Sequence, residues 1–188
     1  MLKYIEEFRK YILITGFRNV EIGNLDKFLE SVNSKKSADT DVQIFDAQLV
    51  ATWQHLYFAV LNALTAFRNK ESISKKLAVE IMLYASAQNQ IRKATETLGV
   101  KPHMKEIAVT VVGEKAETVK LVLSRISRQI NAQPDDEVLE LTGERAAKIQ
   151  EIFGITGEEL ESAKRKCGVK ETLVNLVIEH MALLSTNR

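Results

Sequence analysis

Three short runs of β-branched and aromatic residues are separated by longer segments whose apolar residues recur at helical spacing. Residues 11–17, 42–47 and 107–112 each favour a strand, and the valine density of the third run is typical of a strand buried on both faces. A fourth, short strand is predicted over 137–141. Strands that alternate with helices form layers around one sheet. The sequence therefore predicts the α/β class: a single layered domain with a mixed β-sheet and helices packed around it.

The helical segments begin at residues that favour helix starts. Thr52 is a predicted N-cap, and the helix that follows it is apolar on nearly every side, which indicates burial between other elements. Thr156 and Glu159 have the spacing of a capping box. The polar stretch 31–41 favours an exposed loop. Helices are predicted over about 25–32, 52–67, 74–98 with a polar interruption at 88–90, 116–130, 142–154, 156–167 and 170–184.

The composition is that of an ordinary globular chain. Hydrophobic residues make up 45% and charged residues 27% of the 188 residues, which excludes collagen-like, disulfide-rich and disordered chains. No apolar window approaches the length of a membrane span, and the first ten residues carry charges where a signal peptide is apolar. The single cysteine, Cys167, closes no internal disulfide. We expect a cytoplasmic protein with one domain over residues 1–188.

Charge is distributed unevenly along the chain. Residues 1–133 contain 19 Lys and Arg against 14 Asp and Glu, whereas the mostly helical part 134–188 contains 7 against 11. Between residues 68 and 93 stand the basic residues Arg68, Lys70, Lys75, Lys76, Arg92 and Lys93. Such residues follow a phosphate backbone if they share a surface, or else form an ordinary solvated face.

The motifs of the common enzyme classes are missing. The sequence has no Gly-rich loop before Lys and Ser or Thr, no GxGxxG, no GxSxG, no CxxC and no HExxH, so we predict no catalytic residue, metal or cofactor. His55 leaves two interpretations open, because a helix start favours the neutral ring either in the core or in a pocket for an anionic or base-bearing partner. The amides of residues 88–90 likewise either fix a kink or present hydrogen bonds to a ligand.

The order of several short motifs resembles one known family. VQIFDA at 42–47, HL at 55–56, EIML at 80–83 and QI at 90–91 follow one another as in the small kinase-binding subunit of the KEOPS complex, the TPRKB family. VIEHMALL at 177–184 is similar to that family's closing Val-Leu-Glu-Arg-Val/Ile-Ala-Leu-Leu pattern. The resemblance covers essentially the whole chain and is to the archaeal type.

The resemblance implies a non-catalytic adaptor with an α/β sheet and helices packed around it. KEOPS installs threonylcarbamoyl on the adenosine beside the tRNA anticodon. Its small subunit binds the atypical kinase-like ATPase directly, holds the tRNA 3′ CCA end and meets the remaining subunits indirectly. By position in the family's motifs, the expected kinase-binding residues are Ile91, Thr95, Leu98, Met181 and Leu184.

The expected tRNA-binding residues combine the basic residues, the amides and the histidine: His55, Arg68, Lys70, Lys75, Lys76, Gln88, Gln90, Arg92 and Lys93. Two other classes of protein remain open. One is a homo-oligomeric structural or interaction module without RNA binding, which would bury the closing helix against its own copy. The other is a small enzyme that uses His55 with a neighbouring carboxylate such as Asp46.

Overall fold

Four strands form one antiparallel sheet. The structure is a computed structural model that describes residues 1–35, 37, 39–164 and 168–184, so Cys167 lies outside the described residues. Every pairing in the sheet is antiparallel. The strands follow in the order β1-β2-β4-β3, with the bounds β1 Leu2–Ile5, β2 Lys10–Arg18, β3 Thr40–Asp46 and β4 Glu106–Gly113.

The predicted α/β class is confirmed, with strand directions that differ from the mixed sheet we expected. Because β4 lies between β2 and β3 and runs opposite to both, no two strands of the same direction are neighbours. The strand predicted over 137–141 is instead the 3-10 helix Asp136–Leu139, whose local bond from the Val138 N–H to the Asp135 carbonyl closes a turn. The sequence analysis did not predict β1, which is only four residues long and largely exposed.

Eight α-helices lie within the described residues. Their bounds are α1 Leu25–Lys35, α2 Trp53–Asn69, α3 Leu77–Ala85, α4 Ile91–Leu98, α5 Ala116–Gln129, α6 Gly143–Ile152, α7 Gly157–Ala163 and α8 Val169–Leu183. The predicted helix 74–98 is thus two helices, and α1 extends into the stretch that was predicted as a loop. The capping box of Thr156 and Glu159 is confirmed. None of these described helices is long and apolar enough to cross a membrane.

Contacts group the chain into two units, each built from two separate segments. The sheet unit contains Met1–Ala47 and Gly99–Leu139, and the helical unit contains Gln48–Leu98 and the described residues from Glu140 onward. In the sheet unit, α5 packs on β2 and β4, and α1 packs on α5. Apolar residues at helical spacing on α5 and on alternate positions of the strands meet in its core, which includes Leu13, Phe17, Val109, Val111, Val119, Val122 and Ile126.

In the helical unit, α2 packs against α3 and α8, α4 packs against α3, and α6 and α7 pack against α8. Arg145 of α6 is buried, and its guanidinium donates hydrogen bonds to the carbonyls of Val50 and Glu140. Val50 and Glu140 lie near the starts of the two segments that form this unit. One buried cation therefore holds the two segments together where each begins.

Gly16 allows the 3-10 helix to approach β2 near the C-terminal end of the strand. The Gly16 carbonyl accepts the Asp135 N–H at 2.8 Å. A Cβ at this position would lie 2.6 Å from the Val138 Cβ and 2.8 Å from the Asp135 carbonyl oxygen. Both distances are shorter than van der Waals contact, so any larger residue displaces the segment.

We expect Gly16→Ala to lower the free energy of unfolding by about 1 to 3 kcal/mol, because an added methyl group overpacks this contact. Urea denaturation measures the change. Gly23→Ala is the matched control, since a Cβ there meets no atom within 4 Å. Equal effects of the two substitutions would contradict the packing explanation.

Candidate functional site: a cleft between helices and two groups of exposed polar residues

His55 lies at the third position of α2, and its ring is fully buried. Nδ1 accepts the Ala51 N–H at 3.1 Å, and Nε2 donates to the Ala85 carbonyl at 2.7 Å because a carbonyl oxygen only accepts. The Phe153 ring packs edge-on against the imidazole, with centroids 5.5 Å apart. The imidazole is therefore neutral, carries its proton on Nε2, and joins the start of α2 to the end of α3.

Burial lowers the pKa of His55 from 6.5 to about 4, because the charged ring would lose its hydration, and the hydrogen bond to Ala85 opposes this effect only in part. The core interpretation of His55 is confirmed. The two other expectations for this residue are corrected. With no exposed surface and with both ring nitrogens bonded inside the chain, His55 contacts neither RNA nor a substrate.

The turn after α3 has a fixed shape although it contains no glycine. Ala87 adopts the left-handed conformation, with φ 50°. Its N–H donates to the Tyr84 carbonyl at 2.9 Å, and the Gln88 N–H donates to the Leu83 carbonyl at 3.0 Å. These two bonds are those of a Schellman motif, which normally has glycine at the left-handed position. The amide-rich interruption therefore ends α3, and α4 begins at Ile91 on its far side.

A cleft of about 250 Å³ opens beside this turn. We call it the α8 cleft, and it is lined by Ser86, Ala87, Gln88, Ile152, Phe153, His180 and Leu183. Two apolar side chains at its rim are exposed, with Ile152 37% and Leu183 55% accessible. At the rim, His180 Nε2 and Glu159 Oε1 are joined by a hydrogen bond of 3.0 Å. The cleft thus combines an apolar surface with an amide and an imidazole.

The expected kinase-binding residues divide into exposed and buried ones. Ile91 is 48% exposed, and Thr95 is exposed, with its hydroxyl donating to the Ile91 carbonyl at 3.0 Å. Leu98, Met181 and Leu184 are buried, so the expectation that they contact a partner is corrected: their side chains pack in the interior.

Leu183 is the exposed residue of the closing helix that the sequence analysis missed. It follows Asn175 and Glu179 at intervals of four residues, and all three side chains are exposed. In a helix these positions share one face. Leu183 therefore lies on an otherwise polar face, and this position in the sequence distinguishes it from its buried neighbour Leu184.

The exposed polar residues expected at the tRNA form two groups. The first comprises Arg68 in the last turn of α2 and Lys70, Lys75 and Lys76 in the connection that leads to α3. The second lies at the start of α4 and comprises Gln90, Arg92 and Lys93. α3, with nine residues and a length of about 13 Å, separates the two connections. Gln88 is half-buried in the α8 cleft, and Arg92 also pairs with Glu96 at 2.8 Å.

Exposed aliphatic side chains beside a cleft that also presents polar groups are a feature of protein-binding surfaces. The family model described as kinase binding protein CGI-121 matches residues 17–185, and the chain belongs to that family. The regulatory protein Cgi121 of Methanocaldococcus jannaschii is 35% identical over 115 residues, which cover 61% of this chain and 71% of that protein. These findings confirm the resemblance to an archaeal-type kinase-binding subunit.

The buried imidazole makes stability depend on pH. In the unfolded chain His55 binds a proton below about pH 6.5. In the folded chain it binds one only below about pH 4, because its pKa is lowered to that value. We therefore expect this residue to contribute its full stabilisation above pH 6.5 and to lose about 3 kcal/mol of it between pH 6.5 and 4. Urea denaturation across this range, compared with His55→Gln, isolates the contribution. Parallel curves for the two proteins would contradict it.

Proposed function

We propose that this chain is a non-catalytic, cytoplasmic adaptor of the KEOPS assembly, which places threonylcarbamoyl on tRNA adenosine. In this role the chain binds a kinase-like ATPase through the α8 cleft and the tRNA 3′ CCA end through the start of α4. Membership of a kinase-binding family supports the first contact. The second contact is proposed because the motifs of the chain resemble those of that assembly's small subunit, which holds the tRNA 3′ CCA end.

The α8 cleft is the observation that carries the kinase contact. Exposed Ile152 and Leu183 offer apolar anchors to a partner, and the cleft of about 250 Å³ beside them offers room for a side chain of that partner. Binding energy at protein interfaces concentrates in such apolar anchors that enter pockets, with polar groups around them. Ile91, which begins α4 three residues after Gln88, is a further exposed apolar side chain.

The start of α4 has the chemistry that a single-stranded RNA end needs. Gln90 offers an amide that both donates and accepts hydrogen bonds, as base edges require, and Arg92 and Lys93 offer cations for the few phosphates of the tail. Because the tail has few phosphates, we expect a shallow dependence of affinity on salt, with a slope near −0.7 for each phosphate contacted.

The alternative of a His-dependent enzyme loses its central residue, because His55 is buried with both nitrogens bonded. The homo-oligomeric module remains an outcome of the experiments below. It requires the α8 cleft to bind a second copy of the chain rather than the ATPase.

For the kinase contact, we expect Leu183→Glu to weaken binding of the purified kinase-like ATPase about 30-fold or more, the effect of removing an interface anchor. Isothermal titration calorimetry measures it. Val169→Glu is the matched control, because Val169 is equally apolar, 43% exposed and about 21 Å away at the other end of α8.

An unchanged affinity for Leu183→Glu would refute the α8 cleft as the kinase site. If light scattering finds an oligomer of the free chain that Leu183→Glu dissociates, while the ATPase does not bind either protein, the homo-oligomeric module is favoured instead. Leu98→Glu is unsuitable as a test, since a charge in the interior unfolds the unit.

For the RNA contact, we expect tRNA trimmed of its CCA end to bind distinctly more weakly than intact tRNA in a filter assay. The double variant Gln90→Ala with Lys93→Gln should show a smaller difference in affinity between intact and trimmed tRNA, because these side chains contact the tail. Lys148→Gln, an exposed lysine of α6, is the control for the loss of one charge. Equal binding of trimmed and intact tRNA by the unsubstituted chain would refute this contact.

A further inference from the structure

Residues 68–76, which are the last two residues of α2 and the connection to α3, are called here the basic loop. Its exposed charges are four cations against one acidic residue, namely Arg68, Lys70, Lys75 and Lys76 against Glu71. One apolar side chain of the loop, Ile73, is 42% exposed. In contrast to the start of α4, the exposed groups of the basic loop are chiefly positive charges, which suit phosphates better than base edges.

Backbone hydrogen bonds fix the start of the basic loop. Lys70 adopts the left-handed conformation, with φ 61°, and its N–H donates to the Phe67 carbonyl at 3.2 Å. The Glu71 N–H donates to the Ala66 carbonyl at 2.9 Å. The chain therefore leaves α2 in one defined direction.

A buried carboxylate fixes the end of the basic loop. Glu80 has no exposed surface, and one of its carboxylate oxygens accepts the Ser74 N–H at 2.9 Å. Ser74 Oγ in turn accepts the Lys76 N–H at 3.1 Å. Lys75 and Lys76 stand between the buried residues Ser74 and Leu77, so both lysine side chains are held at the surface.

Burial of Glu80 at this position is energetically unfavourable. It interrupts an otherwise apolar helix, and removing a carboxylate from water costs several kcal/mol. The N-terminal end of α3 and the Ser74 N–H offset part of that cost. An apolar residue would fill the same space without the cost but would leave the loop without its anchor.

We propose that the basic loop binds phosphate groups of a double-stranded RNA stem, and that Glu80 is the positioning residue that holds the loop in its binding shape. The proposal rests on the proposed function, since the stem is the one that adjoins the CCA tail. A tail bound at the start of α4 leaves the stem within reach, because α3 is only about 13 Å long.

The small apolar surface of the basic loop favours RNA over an anionic membrane as the partner of its cations. Segments that bind membranes bury a wide apolar face together with their basic residues. The basic loop offers Ile73 as its exposed large apolar residue and no helix of its own among the described residues. A duplex, by contrast, needs only cations at fixed positions along its backbone.

The experiment uses the full chain and two fluorescent RNA hairpins, one ending in CCA and one trimmed of it, titrated by anisotropy at several salt concentrations. The variants are Lys75→Gln with Lys76→Gln, Glu80→Leu and Glu80→Gln. Lys148→Gln with Lys170→Gln is the matched control, because these lysines are equally exposed on α6 and α8. If Glu80→Leu does not fold, Ser74→Pro replaces it, since proline removes the N–H that Glu80 binds.

We expect the Lys75 and Lys76 double variant to bind both hairpins several-fold more weakly, with the ratio between the two affinities unchanged. Its plot of log affinity against log salt should be shallower by about 0.9 for each phosphate that no longer has a lysine beside it. Glu80→Leu should weaken binding to the same extent, and Glu80→Gln should restore it because the amide oxygen still accepts the Ser74 N–H.

Four outcomes would overturn the proposal: unchanged binding by the lysine double variant, an equal reduction of affinity in the control pair, full affinity in Glu80→Leu, or binding of phosphatidylserine vesicles without binding of either hairpin. Failure of the proposed function would give a different result in the same titrations. In that case removal of the CCA end has no effect on the unsubstituted chain, while the basic loop still decides the affinity for the stem.

Discussion

The helical unit depends on a neutral imidazole that bonds in two directions. His55 accepts an N–H at the start of α2 and donates to the carbonyl at the end of α3, and its ring supports Phe153. Phe153 and the turn after Ala85 both line the α8 cleft. The shape of the exposed cleft is therefore set by a contact in the interior. An acceptor and a donor on opposite sides of one ring exist together only while that ring is uncharged.

Local patterns predicted the elements better than their arrangement. The β-branched runs that became β2, β3 and β4 were recognisable, as were the capping box of α7 and most helices. The order β1-β2-β4-β3 was not, because the place of β4 between two earlier strands depends on contacts distant in sequence. The interruption at 88–90 was predicted, but the left-handed turn at Ala87 that ends α3 was not, since a left-handed residue other than glycine leaves no mark in the sequence.

The candidate site was predicted in composition rather than in geometry. All the cations expected at the RNA are exposed, but α3 divides them into two groups with different chemistry. In α8, burial of Met181 and Leu184 follows from one face of the helix, and Leu183 lies on the other. A rotation of 100° between adjacent residues decides which leucine is available, and apolar content alone does not show it. Glu80 was noticed as part of a motif, whereas its bond to Ser74 needed coordinates.

Each unit takes its two segments from distant parts of the chain, and this has a consequence for synthesis. The sheet unit is complete once Leu139 has been made, but α2 and α3 are made before α8, against which both pack. While the chain is still on the ribosome, α2 and α3 therefore expose the apolar faces that α8 later covers. Incomplete chains with such faces are prone to aggregate. The nascent chain is consequently most prone to aggregation in the interval between synthesis of α3 and synthesis of α8.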